Sequence, residues 1–167
     1  MENETILSRL TRESESHKDA VAEDTVVLKF LVFSLGEAMF ALAAEDVREI
    51  STNNEIYYIP FVPPYVRGYA NRHGQPYTVF DLQMLFENTP LQSTTLLILK
   101  SETDQIAVLI SDVREIVTVP ETDLLRITSA DDSSRYFSSA LNLAGTEVFV
   151  LKVDALLERL ERDLERS

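Results

Sequence analysis

"FLVFSLGEAMFALAAEDVREI", Phe30 to Ile50, lies without a gap over "LLILKSETDQIAVLISDVREI", Leu96 to Ile116. The pentapeptide DVREI closes both stretches, at Asp46–Ile50 and Asp112–Ile116, and nearly every inward-looking apolar position of one is apolar in the other. A second pair follows: "ANRHGQPYTVFDLQMLF" from Ala70 lies over "LNLAGTEVFVLKVDALL" from Leu141, matching Asn71 with Asn142 and Gly74 with Gly145. The offsets, 66 and 71 residues, differ by a short loop insertion, where extra residues cost least. Self-similarity of this kind is the first organising signal in a sequence. It predicts two copies of one β unit of about seventy residues, each too small to be robust singly and packed on the other. The junction of two such units is a usual place for a binding groove.

The surrounding texture supports β structure. "VVLKFLVFSL", "AMFALA", "VREIST", "EIYYIPFVP", "TTLLILK", "QIAVLIS", "REIVTVP" and "TEVFVLKV" are short runs rich in branched and aromatic residues, as in small barrels. Only the end switches period: Val153, Leu156, Leu157, Leu160 and Leu164 share one helical face, with Glu and Arg opposite, so that helix covers a barrel end or docks on a partner. Residues 1–25 carry seven acids and three bases with hardly an apolar residue after Leu10, which reads as an acidic flexible tail.

The composition closes several avenues. A net charge of −13 repels nucleic acid and anionic lipid. No cysteine is present, excluding disulfides and thiol chemistry, and His17 and His73 are the only histidines, so no metal or cofactor site is expected. No apolar run approaches the roughly 20 residues of a membrane span. A cytoplasmic protein without membrane insertion is the expectation.

"GYANRHGQPYTVFDL", Gly68 to Leu82, concentrates two glycines, a histidine and an aspartate. A phosphate loop would lead into a helix with a lysine or serine, but here a strand follows. The second copy keeps the Asn and the Gly and loses the rest, so Asn71 and Gly74 read as hairpin residues that accept positive φ. Asp81 stands just before "LQMLFE" and reads as a helix N-cap. An enzyme using His73 with Asp81 or Glu49 is the reading of a different class, and it requires these groups to converge.

"FLVFSLGEAMFAL", "DVREI" and "IPFVPPYVRGYANRHGQPYTVFDL" together resemble the CheW chemotaxis coupling proteins over residues 27 to 162. Matching positions are Gly36, Val47, Glu49, Ile50, Pro60, Pro63, Gly68, Asn71, Gly74, Val79, Asp81 and Leu82. The resemblance implies a mainly β fold of two side-by-side five-stranded SH3-like barrels with a C-terminal helix. It also implies a non-enzymatic scaffold between the cytoplasmic hairpin tip of chemoreceptors and the regulatory domain of a CheA-type histidine kinase. A CheW-like adaptor of a related pathway, such as twitching motility, is the nearest alternative.

Two positions depart from the family: His73 replaces an Arg, and Thr78 a Pro. In the family that Arg pairs with the Glu that falls at Glu49, so His73 is expected to face Glu49 and pair with it below neutral pH. Arg72 is not expected to stand in, because neighbouring strand residues point to opposite faces. By the same resemblance, the receptor groove is lined by Ala44, Val47, Gly68, Ile106, Val113 and Ile116. Val47 and Val113 fit ordinary core equally well. Gly68 is kept small for a partner helix on this reading, and Tyr57, Tyr58 and Phe61 either contact the kinase or plug a barrel.

Overall fold

The computed structural model describes residues 25–127 and 134–166. Strands β1 (Val27–Leu35) and β2 (Ala38–Ala43) form a hairpin across the Gly36 turn. Then come β3 (Val47–Ser51), β4 (Val66–Arg72), β5 (Gln75–Phe80), helix α1 (Leu82–Glu87), β6 (Thr95–Leu99) and β7 (Ile106–Ile110). β8 (Asp112–Pro120), the short β9 (Leu125–Arg126), β10 (Phe137–Leu143), β11 (Thr146–Leu151) and helix α2 (Val153–Glu165) complete the order. The acidic tail lies outside the described residues, apart from Thr25.

Two sheets result, ordered β8-β1-β2-β11-β10-β9 and β3-β6-β7-β5-β4. The repeat is fully expressed in their registers. Glu49 opposes Ile98 and Val47 opposes Leu99, with a bulge between; Glu115 opposes Val32 and Val113 opposes Phe33, with the same bulge. DVREI therefore recurs as a bulged strand, its Arg being the extra residue. Likewise Val79 lies beside Ala107 in a parallel pair, and Val150 beside Ala41 in the equivalent one.

One expectation is corrected. The repeats do not each build a barrel: β1 and β2 of the first pair with β8 and β11 of the second, while β6 and β7 of the second pair with β3 and β5 of the first. In sequence, the second sheet is a continuous insertion, β3 to β7, within the first. The reason lies in the connections. Three residues, Ala44–Asp46, separate β2 from β3 and hold a single 3-10 turn, too short to return β3 beside β1. The sheets are moreover open, so the expected barrels are not closed.

"EIYYIPFVP" is not a strand either. It forms one bridge, Tyr57 with Tyr69, because Pro60, Pro63 and Pro64 cannot donate to a ladder and Phe61 takes φ +61°.

Phe30, Val32, Ala41, Leu141, Val148 and Val150 pack together on one face of the first sheet. The other face of β1, with Leu31, Phe33 and Leu35, joins a larger cluster that runs through Val79, Phe80, Leu97 and Leu109 of the second sheet. The helices stitch the two together. Phe86 of α1 packs on Phe40 and Phe137 of the first sheet, and Leu156 of α2 is buried in the larger cluster. The caps share one backbone conformation: Asp81 and Lys152 both have φ −103° and ψ 100°, yet only Asp81 offers a side-chain acceptor.

Candidate functional site

Glu49 sits on β3, one outer strand of the second sheet, and Arg72 ends β4, the other outer strand. The sheet curls until these edges meet. Arg72 Nε donates to Glu49 Oε1 at 3.0 Å and Nη2 to Oε2 at 3.1 Å, a two-pronged grip that closes the edge with side chains instead of backbone. His73 Nε2 lies 3.7 Å from the same carboxylate, on a side chain that is 79% exposed. The Arg72 hydrogen bonds hold the Glu49 carboxyl below its ordinary value and raise the guanidinium.

The expectation about this pair is half corrected. His73 does face Glu49, but Arg72 is its main partner. Strand alternation does not apply, because His73 is a turn residue at φ +51°, so consecutive side chains reach one carboxylate. His73 and Gly74, both at positive φ, are the central residues of the hairpin, as Ala144 and Gly145 are in the second copy. Asn71 does not take the positive φ expected of it; it pairs with Pro76 in the ladder. Its counterpart Asn142 shows what the second Asn is for, accepting the Gly145 N–H at 3.0 Å.

Around this pair runs an open polar groove of about 800 Å³, lined by Arg48, Tyr77, Glu102 and Asp104 beside Glu49 and His73. Arg48 Nη1 donates to Tyr77 Oη at 3.1 Å. Asp81 is elsewhere, at the far end of β5, roughly 20 Å along a six-residue strand. It is wholly buried and accepts from Met84 N–H, Leu91 N–H and Arg67 Nη1, at 3.0, 2.9 and 2.9 Å. The N-cap is as expected, but the aspartate also pins the loop after α1 and pairs with an arginine that sequence reasoning passed over. His73 and Asp81 do not converge as an acid–base pair would require.

The six groove residues carried over by resemblance are unevenly placed. Val47 and Val113 occupy equivalent bulged positions, half-buried against the larger core cluster, and Ala44 is half-buried in the 3-10 turn before Val47. Ile116 is 64% exposed on β8, an outer strand of the first sheet. Ile106 is buried in the ladder, opposite Thr78. Gly68 has an internal reason for its size: at φ +141°, a Cβ would fall 1.9 Å from the Tyr57 carbonyl oxygen. Tyr57 and Tyr69 exchange backbone hydrogen bonds at 2.8 and 2.9 Å above it. The fold itself therefore has its own reason for a glycine there, whatever a partner requires.

The aromatic segment plugs nothing. Tyr58 is 81% and Phe61 94% exposed, while Tyr57 is half-covered by stacking on Tyr69. Ile50, the repeat counterpart of Ile116, is also exposed. It was missed as a candidate although the DVREI repeat points to it directly. Two large apolar side chains thus stand at equivalent places on the two outer strands.

The comparisons with known proteins bear on this arrangement. No curated protein matches the sequence. Among solved structures, the scaffolding protein TtCheW from Thermoanaerobacter tengcongensis superimposes with a TM-score of 0.67 at 22% identity, over 76% of this chain and 90% of that one, a likeness of fold. The model of the CheW-like domain matches residues 29–161, nearly everything from β1 to α2. The chain belongs to the CheW-like domain family, a family of chemotaxis-type adaptors.

Proposed function

We propose that the protein is a non-enzymatic scaffold that couples the cytoplasmic hairpin tip of chemoreceptors to a CheA-type histidine kinase in the cytoplasm. The observation that supports it best is the pair of equivalent outer strands, each with a half-buried valine and an exposed isoleucine: Val47 with Ile50, and Val113 with Ile116. An exposed strand edge with apolar side chains is a ready surface for a partner. On this reading Ala44, Val47, Val113 and Ile116 meet the receptor helices, and Tyr58 and Phe61 meet the kinase. Among the described residues no helix is long and apolar enough to cross a membrane, in keeping with partners that bring it to one.

A three-component pull-down tests the reading. The protein is expected to retain a receptor tip fragment and a kinase regulatory domain together. Ile116→Asp should release the receptor fragment alone, and Phe61→Ser the kinase alone. Retention of neither partner by the unmodified protein would sink the proposal.

A further inference from the structure

Arginines gather at one place on this acidic molecule. Arg135, Arg159, Arg162 and Arg166 line a single concavity of about 350 Å³, floored by Leu85 and Phe86 of α1, with Asp163 the one acid on its wall among the described residues. They are four of the chain's fifteen basic residues, in a protein of net charge −13. The net charge of the molecule repels an approaching anion, whereas this concavity gathers guanidinium groups on its wall. Arg159 and Arg162 stand on α2 and Arg166 is its C-cap, at i, i+3 and i+7 along one side. Arg159 is fixed in place, donating to Asp163 Oδ2 and Tyr136 Oη at 2.8 Å each. Arg162 and Arg166 are exposed.

We propose that this concavity is a docking site for an acidic, extended peptide segment of a protein partner. Two features select that occupant. Positions i to i+7 span about 10.5 Å of helix, more than one phosphate or carboxylate bridges. Carboxylates on alternate residues of an extended chain repeat at about 7 Å and can meet the exposed Arg162 and Arg166, with a fork from each. The apolar floor calls for side chains between or beside the acids, which a simple anion lacks. The site uses neither β3 nor β8, so it is separate from the receptor surface proposed above.

The test is fluorescence anisotropy with the full chain and a labelled heptapeptide alternating Glu with Leu and Phe. Binding is expected to weaken at least tenfold in the double variant Arg162→Glu, Arg166→Glu, and to weaken on raising the salt. Both positions are exposed, so an unchanged thermal midpoint should show that the variant is folded; a second variant, Arg162→Gln with Arg166→Gln, gives an intermediate loss. Equal binding by the variants, or by the same peptide with Gln for Glu, would overturn the proposal. So would displacement of the peptide by equimolar tripolyphosphate or single-stranded oligonucleotide, which would assign the arginines to a simple anion or a nucleic acid. Self-association of the unmodified chain abolished by the same substitutions would make a second copy the occupant and equally dispose of the peptide.

Discussion

Arg72 grips Glu49 across the two free edges of one sheet, with Nε and Nη2 at 3.0 and 3.1 Å from the two carboxylate oxygens. The other sheet has Glu115 at the Glu49 position, but Leu143 and Ala144 where Arg72 and His73 stand, so only one of the two sheets carries this closure. The pH consequence follows from its direction. Glu49 titrates below its ordinary value of 4.5, chiefly through the Arg72 hydrogen bonds. A lowered carboxyl pKa contributes stability that is present above the unfolded value and lost as pH falls through the folded one. Arg72→Ala is therefore less stable than the unmodified protein at pH 7, by a modest margin typical of half-exposed ion pairs, and the gap narrows as pH falls below the ordinary Glu value. Urea titrations across the acid range check this; a gap independent of pH would assign it to lost packing.

Gly68→Ala is expected to destabilise by at least about 3 kcal/mol, because an alanine at φ +141° is strained and its Cβ meets the Tyr57 carbonyl. Thermal unfolding reads the effect. A variant with an unchanged midpoint but no receptor binding would return Gly68 to the partner surface.

Asp81→Ala leaves the Met84 and Leu91 N–H groups without their acceptor inside the fold and Arg67 without its carboxylate, with only the Leu91 carbonyl still accepting from it. Breaking a buried pair from one side costs about 3–5 kcal/mol. Asp81→Asn should recover part of that, since its amide oxygen still accepts at the cap, and denaturant midpoints rank the three proteins.

The insertion of one sheet inside the other makes a prediction about fragments. Residues 25–92 correspond to the first repeat and hold β1 to β5, yet they break both sheets, and this fragment is expected to be unfolded. Residues 46–111 hold every strand of the second sheet and should give dispersed amide NMR signals in the cold. The reverse result would refute the nested order.

Much of this architecture was legible. The DVREI repeat foretold equivalent strands and Asp81 announced its cap, whereas the bulge at each Arg has no signature in the pentapeptide. Strand partnership was not legible for a physical reason. Two identical pentapeptides offer β1 the same side chains, so nothing local distinguishes pairing with Asp46–Ile50 from pairing with Asp112–Ile116. Loop length decides, and it acts through geometry instead of residue type. His73 misled in a related way: alternation holds within strands, and His73 is where the strand stops. Gly68 and Tyr57 are eleven residues apart with prolines between them, so their contact has no periodic signature.

The inserted sheet is held to its host by two short links, the three-residue turn Ala44–Asp46 and the single residue Ser111 between β7 and β8. Ser111 is itself fastened, its N–H to the Ser34 carbonyl at 2.8 Å and its hydroxyl oxygen to the Gly36 N–H at 2.8 Å. Links this short leave β3 and β8 little slack to move apart. If the proposed function holds, the protein would act as a gauge block: partners seated on Ile50 and on Ile116 would be held at a spacing set by the protein interior.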